Sequence, residues 1–147
     1  MNKEVVIRDI GRLLQILSVL FLVSAGVTII LKEFFATPAF VLPGVGVYLI
    51  GHYLNKIFID SPKPTKVESM VIAALGWLLI SLLGSLPFWI SFNMIQLDLP
   101  FFSAPELIET MEVYGNPLNG FFESISGFTG TGLTVTLHES RLPASLQ

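Results

Sequence analysis

At 147 residues, 52% hydrophobic and only 13% charged, with a mean hydropathy of +0.74, the chain is too apolar for an ordinary soluble domain and too poor in charge for a disordered one. A net charge of −3 offers no broad basic surface, which argues against nucleic acid as a partner. The absence of cysteine removes disulfides, thiolate metal sites and a cysteine nucleophile.

The N-terminus carries Lys3, Arg8 and Arg12 beside two acids, and the apolar run after it lacks a small-residue cleavage site. It therefore reads as a retained anchor rather than a signal peptide. Leu13 to Leu31 is interrupted only by Gln15, Ser18, Ser24 and Thr28. At about 1.5 Å per residue this run matches the roughly 30 Å hydrocarbon core and predicts the first membrane helix. The Ala36-Thr37-Pro38 turn leads to a second apolar stretch, Phe40 to Ile59, containing Pro43, Gly44 and Gly46. Asp60 to Lys66 is a polar connector with two prolines, unfavourable to helix or buried strand.

Met70 to Ile90 is the third spanning run. Pro87 near its end predicts a kink or a helix exit, Trp89 suits an interfacial anchor and Trp77 suits packing. Gly26, Gly44, Gly46 and Gly84 are expected at close helix contacts. His52, near the end of the second helix, fits an interfacial or packed side chain better than a ligand. Asn93 to Gly115 turns polar and acidic, with Asp98, Glu106, Glu109 and Glu112. This stretch predicts an extramembrane loop with room for a short helix, its acids either gathering cations or simply solvated. Lys3, Arg8, Arg12, Lys56, Lys63 and Lys66 all fall beside one face of the membrane, which by the positive-inside rule puts the N-terminus and the connector in the cytoplasm.

After Asn116-Pro117, a favourable helix start, Leu118 to Ser126 makes a helix too short to cross a bilayer, with Gly127 as the expected terminator. The chain then enters the Thr/Gly-rich segment Phe128 to Thr134. Irregular backbone at membrane depth survives only where protein or a water-filled path surrounds it, so the pattern predicts a re-entrant pore helix and filter loop. The negative end of the helix dipole would face this loop and favour a cation. Gly130 and Gly132 allow unusual backbone angles with little bulk, and Thr129, Thr131 and Thr134 add hydroxyls. No acidic side chain lies in the loop, which suits a monovalent ion held by neutral dipoles. By itself the loop does not choose between potassium and sodium.

Other chemistries fit less well. The spacing of Gly127 and Gly132 matches a phosphate-binding loop, but Leu133 stands where lysine is required and no strand precedes it. Ser124 and Ser126 have no nearby base, and no metal-ligand arrangement falls at membrane depth, so an enzyme is not expected. Glu123 is either a functional intramembrane acid or, the favoured reading, a local hydrogen-bond partner that holds the loop.

The string Phe121-Phe122-Glu123-Ser124-Ile125-Ser126-Gly127-Phe128-Thr129-Gly130-Thr131-Gly132-Leu133-Thr134 resembles the first pore loop of the Trk/Ktr/HKT potassium-transporter superfamily. It is closest to the TrkH branch, where a typical version reads F-F-E-x-x-S-G-x-T-T-T-G-A-T. Gly76 to Phe88, closing with Gly84-Ser85-Leu86-Pro87-Phe88, resembles the family's first pore-domain helix, which often ends G-x-L-P-F. The resemblance implies an all-α membrane protein: three transmembrane helices, then a re-entrant pore helix and filter loop. Residues 1–60 would be a two-helix N-terminal hairpin, 61–67 a cytoplasmic connector, and 68–147 a first pore-domain repeat truncated before its second helix.

Carried over by position, the resemblance makes Thr129, Gly130, Thr131, Gly132 and Leu133 one of four selectivity-filter segments, with Gly132 as its filter glycine. The backbone carbonyls of Gly130, Thr131 and Gly132 would ligate potassium, and Glu123, Ser126 and Gly127 would support the pore helix. Gly130 departs from the usual threonine, removing a hydroxyl and freeing the backbone. The implied function is potassium uptake across the plasma membrane, with potassium as cargo and no cofactor. Implied partners are membrane lipid, a second copy in a homodimer and a cytoplasmic nucleotide-binding regulatory subunit. Three further repeats are expected beyond this N-terminal fragment, which alone should not conduct. The competing expectation is a small structural or assembly membrane protein, with Gly127 to Gly132 a flexible turn.

Overall fold

The computed structural model describes residues 1–97, 107–136 and 141–146, and among these the regular structure is all helical, without strands. Helix α1 spans Lys3–Ile30, 28 residues, so it begins well before the expected Leu13. Polar residues start this helix instead of delaying it. The Asn2 side chain caps it by accepting the Glu4 amide at 3.0 Å. Asp9 then accepts from Arg8 Nε at 2.9 Å and from Arg12 at 3.0 Å, an i,i+3 pair on the helix surface.

Helix α2, Thr37–Ile57, begins within the segment expected to be a turn. Pro38 falls in its first turn, where a missing amide costs nothing. Thr28 and Thr37 hydroxyls, 2.7 Å apart, join the facing ends of α1 and α2. Between the two helices Leu14, Leu17, Phe21, Phe40 and Val47 form the core.

Helices α1 and α2 approach closely at Gly11 and Gly51. A Cβ on Gly51 would stand 2.6 Å from the Gly11 carbonyl oxygen, and one on Gly11 would stand 2.8 Å from the Gly51 oxygen. Of the glycines expected at contacts, Gly44 meets Phe21 and Gly84 meets Ser124 and Phe128, but Gly26 and Gly46 meet nothing among the described residues. Trp77 is also exposed rather than packed. His52 is exposed and stacks on Tyr48.

Helix α3, Lys66–Gly84, starts with a capping box in which Glu68 accepts the Thr65 amide at 2.9 Å. Its other carboxylate oxygen accepts the Asn2 amide at 2.6 Å, and Arg8 donates to the Ser61 carbonyl. The beginning of α1 is thus fastened to the 61–68 connector. After a break at Ser85, helix α4 covers Leu86–Gln96. Proline cannot donate the amide that an unbroken helix needs, and here Pro87 accompanies a break followed by resumption, not an exit. The spans Lys3–Ile30, Thr37–Ile57 and Lys66–Gln96 are all long and apolar enough to cross a membrane, and Val19, Leu49, Ile50 and Leu78 lie outward on them. A chain with this pattern is a multi-pass membrane protein.

A short helix α5, Ile108–Met111, and a 3-10 turn, Glu112–Gly115, occupy the end of the stretch expected to be a loop. Of its acids, Glu109 and Glu112 are exposed, whereas Asp98 and Glu106 lie outside the described residues. Helix α6 follows, Pro117–Thr129.

Candidate functional site

Helix α6 forms where it does because Asn116 accepts the Leu118 amide at 3.0 Å and Pro117 takes the first helical position. Its 13 residues extend about 20 Å, short of the roughly 30 Å needed to cross a bilayer. Small residues let α6 approach the α3–α4 break. A Cβ on Gly120 would lie 3.3 Å from the Ser85 carbonyl oxygen, and Gly84 faces Ser124 and Phe128. The Ser124 hydroxyl oxygen is buried there and has no hydrogen-bond partner among the described residues. It borders a cavity of about 360 Å³ whose apolar wall includes Phe21, Phe40 and Pro87.

The helix does not stop at Gly127. It continues to Thr129 and closes on Gly130, whose φ of 68° and ψ of 22° are left-handed. Gly130 N–H donates to the Gly127 carbonyl at 3.2 Å, and Thr131 N–H to the Ser126 carbonyl at 3.1 Å. This is the paired pattern of a Schellman cap, which satisfies carbonyls otherwise left open at the helix end. The Thr129 hydroxyl donates to the Ile125 carbonyl at 2.7 Å, and Ser126 and Thr131 hydroxyls are 3.0 Å apart.

From Thr131 to Thr136 the chain has no regular structure, and Gly132 takes a second positive φ of 67°. Val135 N–H donates to Glu123 Oε2 at 3.1 Å, which requires the chain to double back along α6. The Thr136 hydroxyl is 2.6 Å from the Tyr114 hydroxyl. Tyr114 is fully buried, its ring 4.8 Å from that of Phe88. Burial pushes the Tyr114 phenol up to about 12, helped by the negative charge of Glu123 and opposed by its bond to Thr136. The group is therefore neutral at physiological pH.

The structure brings Thr129, Gly130, Thr131, Gly132 and Leu133 into one continuous exposed strip at the carboxyl end of α6. Ser126 holds the start of this strip through Thr131, and Glu123 holds its return through Val135. Gly127 lies in the last helical turn, exposed, with no neighbour among the described residues within 4 Å of where a Cβ would stand. A second cavity, about 660 Å³, borders the strip and includes Glu123, Ser126, Gly130, Gly132 and Thr134 in its wall. Among the described residues, no three His, Cys, Asp or Glu side chains gather as a metal site. Sequence reasoning missed Tyr114 and Thr136. They are 22 positions apart, and no local spacing links a tyrosine in an acidic loop to a threonine beyond a glycine-rich turn.

The chain is 26% identical over 144 residues to a protein of Methanocaldococcus jannaschii named as an uncharacterized cation transporter. The match takes in 97% of this chain but 26% of that protein, so the chain spans about a quarter of the length of its relative. No family model matches it, and no solved structure does.

Proposed function

We propose that residues 116–136 are a re-entrant pore helix and its filter loop, one of four such segments around a cation path in a TrkH-type potassium-uptake protein. The observation that carries this reading is the reversal after α6. A helix too short to cross ends on Gly130, passes a second positive φ at Gly132 and returns tied to its own middle through Glu123 and Val135. The relative's name supports cation transport. A transporter about four times the length of this stretch has room for three further segments.

In this arrangement the carbonyl end of α6 gives the strip a negative field. Backbone carbonyls of Gly130, Thr131 and Gly132 replace the hydration shell of the ion, with Thr129 and Leu133 as their neighbours in the filter. Uptake runs inward down the membrane potential, worth about 2.3 kcal/mol per charge per 100 mV. The bonds Asn2–Glu68 and Arg8–Ser61 keep the basic N-terminus and the basic connector at the same end, which supports a cytoplasmic N-terminus in the plasma membrane. The exposed apolar helix faces meet lipid and the remaining helices. The intact protein pairs as a homodimer and meets a nucleotide-binding regulatory subunit on its cytoplasmic side.

Gly132→Val in the complete transporter tests the filter assignment. A β-branched residue at a φ of 67° is strongly strained, so potassium uptake should be lost while membrane insertion is retained. Unchanged uptake overturns the reading.

A further inference from the structure

We infer that Tyr114 is a positioning residue for the filter strip: by holding Thr136 through its hydroxyl, it fixes the far end of the 131–136 return and so sets the preference for potassium over sodium. The inference rests on the function proposed above and adds a residue outside the strip.

The strip has an anchor at each end. At its start, the Schellman cap and the Ser126–Thr131 contact hold the chain against α6. At its end, consecutive residues are held by two different elements: Val135 by Glu123 of α6, and Thr136 by Tyr114 of the 3-10 turn. Gly132 and Leu133 lie between these anchors, both exposed.

The Tyr114 anchor is firmly seated. The side chain is fully buried, and its ring packs on Phe88 with an angle of 31° between planes. Phe88 also lies against Gly120 of α6, where a Cβ would come within 3.5 Å of the Phe88 Cβ. One aromatic residue just past the α3–α4 break therefore contacts both the helix that leads into the strip and the tyrosine that ends it. A buried phenol needs a hydrogen-bond partner to offset its desolvation, and Thr136 is that partner. At a pH near neutrality the phenol keeps its proton and remains able to donate.

Selecting between two alkali cations depends on carbonyl oxygens held within a fraction of an ångström of the favourable distance. With the far anchor released, the carbonyls can close around the smaller sodium ion. The expected loss is in discrimination more than in throughput.

The test uses the complete transporter in reconstituted vesicles, reading the ratio of potassium to sodium uptake and the amide hydrogen exchange of residues 131–136. Tyr114→Phe keeps the ring on Phe88 and removes the hydroxyl; Thr136→Val removes its partner. Each should lower the ratio about fivefold, the scale of one lost hydrogen bond, and speed exchange across the strip without changing the amount of protein in the membrane. The double variant should be no worse than either single one, and Thr136→Ser should keep the wild-type ratio. A wild-type ratio in Tyr114→Phe and Thr136→Val overturns the inference, as does a fall in protein amount with the ratio intact. If Tyr114→Phe does not accumulate, Thr136→Val alone decides by the same outcomes. Failure of the filter reading appears separately, as normal uptake in Gly132→Val; in that case wild-type exchange in Tyr114→Phe still overturns the anchor.

Discussion

Val135 donates its backbone amide to the Glu123 carboxylate at 3.1 Å, so the chain leaving α6 is fastened to the middle of the helix it has just left. Hydrogen bonds to a charged acceptor contribute more than neutral ones, but Glu123 is only half-buried, which places this one at the low end of that range. Glu123→Ala should cost about 1.5 kcal/mol of local stability, read as faster exchange at the Val135 amide and less protein in the membrane. Glu123→Gln retains an acceptor oxygen and should fall between alanine and wild type. If Val135 stays fully protected in Glu123→Ala, the contact does not hold the loop.

The end of α6 gives a prediction with opposite signs at two glycines three residues apart. Gly130 has a φ of 68°, so Gly130→Ala should destabilise by about 1 kcal/mol. Gly130→Thr, which installs the residue usual in the family that the sequence resembles, should be worse because a β-branched side chain tolerates this conformation poorly. Gly127 lies inside the helix with open space around it. Gly127→Ala should therefore be neutral or stabilising by up to about 1 kcal/mol. Thermal unfolding in detergent distinguishes the two, and the reverse order would move the helix terminus back to Gly127.

Tyr114 predicts a pH dependence at the alkaline end. Its folded value is raised to about 12, above the ordinary tyrosine value of about 10. The contribution of its neutral, hydrogen-bonded form is thus complete below about pH 10 and is lost as pH rises through the folded value. Phenolate absorbance should show a step for Tyr114 well above the ordinary tyrosine range. In Tyr114→Phe that step should vanish. A high-pH absorbance profile unchanged by Tyr114→Phe contradicts the buried Tyr114–Thr136 contact.

Local chemistry explains what could be read from the sequence. Three apolar runs announced three spans, because hydropathy over a bilayer's width needs no tertiary information. Asn116-Pro117 marked the start of α6 for the same reason, its cap being a contact across two residues. Errors arose where the deciding partner was distant or where several residues could play one part. The charged Lys3 to Arg12 segment gave no apolar signal, yet it is helical because Asn2, Asp9 and the connector satisfy its polar groups. Composition named Gly127, Gly130 and Gly132 as flexible points without revealing which two would adopt positive φ. The Tyr114–Thr136 contact depends on the 3-10 turn packing against α4, a tertiary fact.

The same distinction makes the α1–α2 crossing a sharp test, since Gly11 and Gly51 show no more in sequence than Gly26 and Gly46. At the crossing, the nearest atom facing each missing Cβ is a backbone oxygen, that of Gly11 at 2.6 Å from one on Gly51 and that of Gly51 at 2.8 Å from one on Gly11, with the Cβ atoms of Leu14 and Leu54 beside them. Backbone cannot rotate aside as a side-chain tip can, so the helices must separate to admit a methyl group. Overpacking of this kind costs about 1–3 kcal/mol, which exceeds the gain of up to about 1 kcal/mol from replacing glycine inside a helix. Gly51→Ala and Gly11→Ala should therefore lower the unfolding temperature in detergent, whereas Gly26→Ala and Gly46→Ala should leave it unchanged or raise it. If Gly51→Ala proves as stable as wild type, the close helix approach is not what holds the hairpin together, and Thr28–Thr37 with the apolar core from Leu14 to Phe21 must suffice.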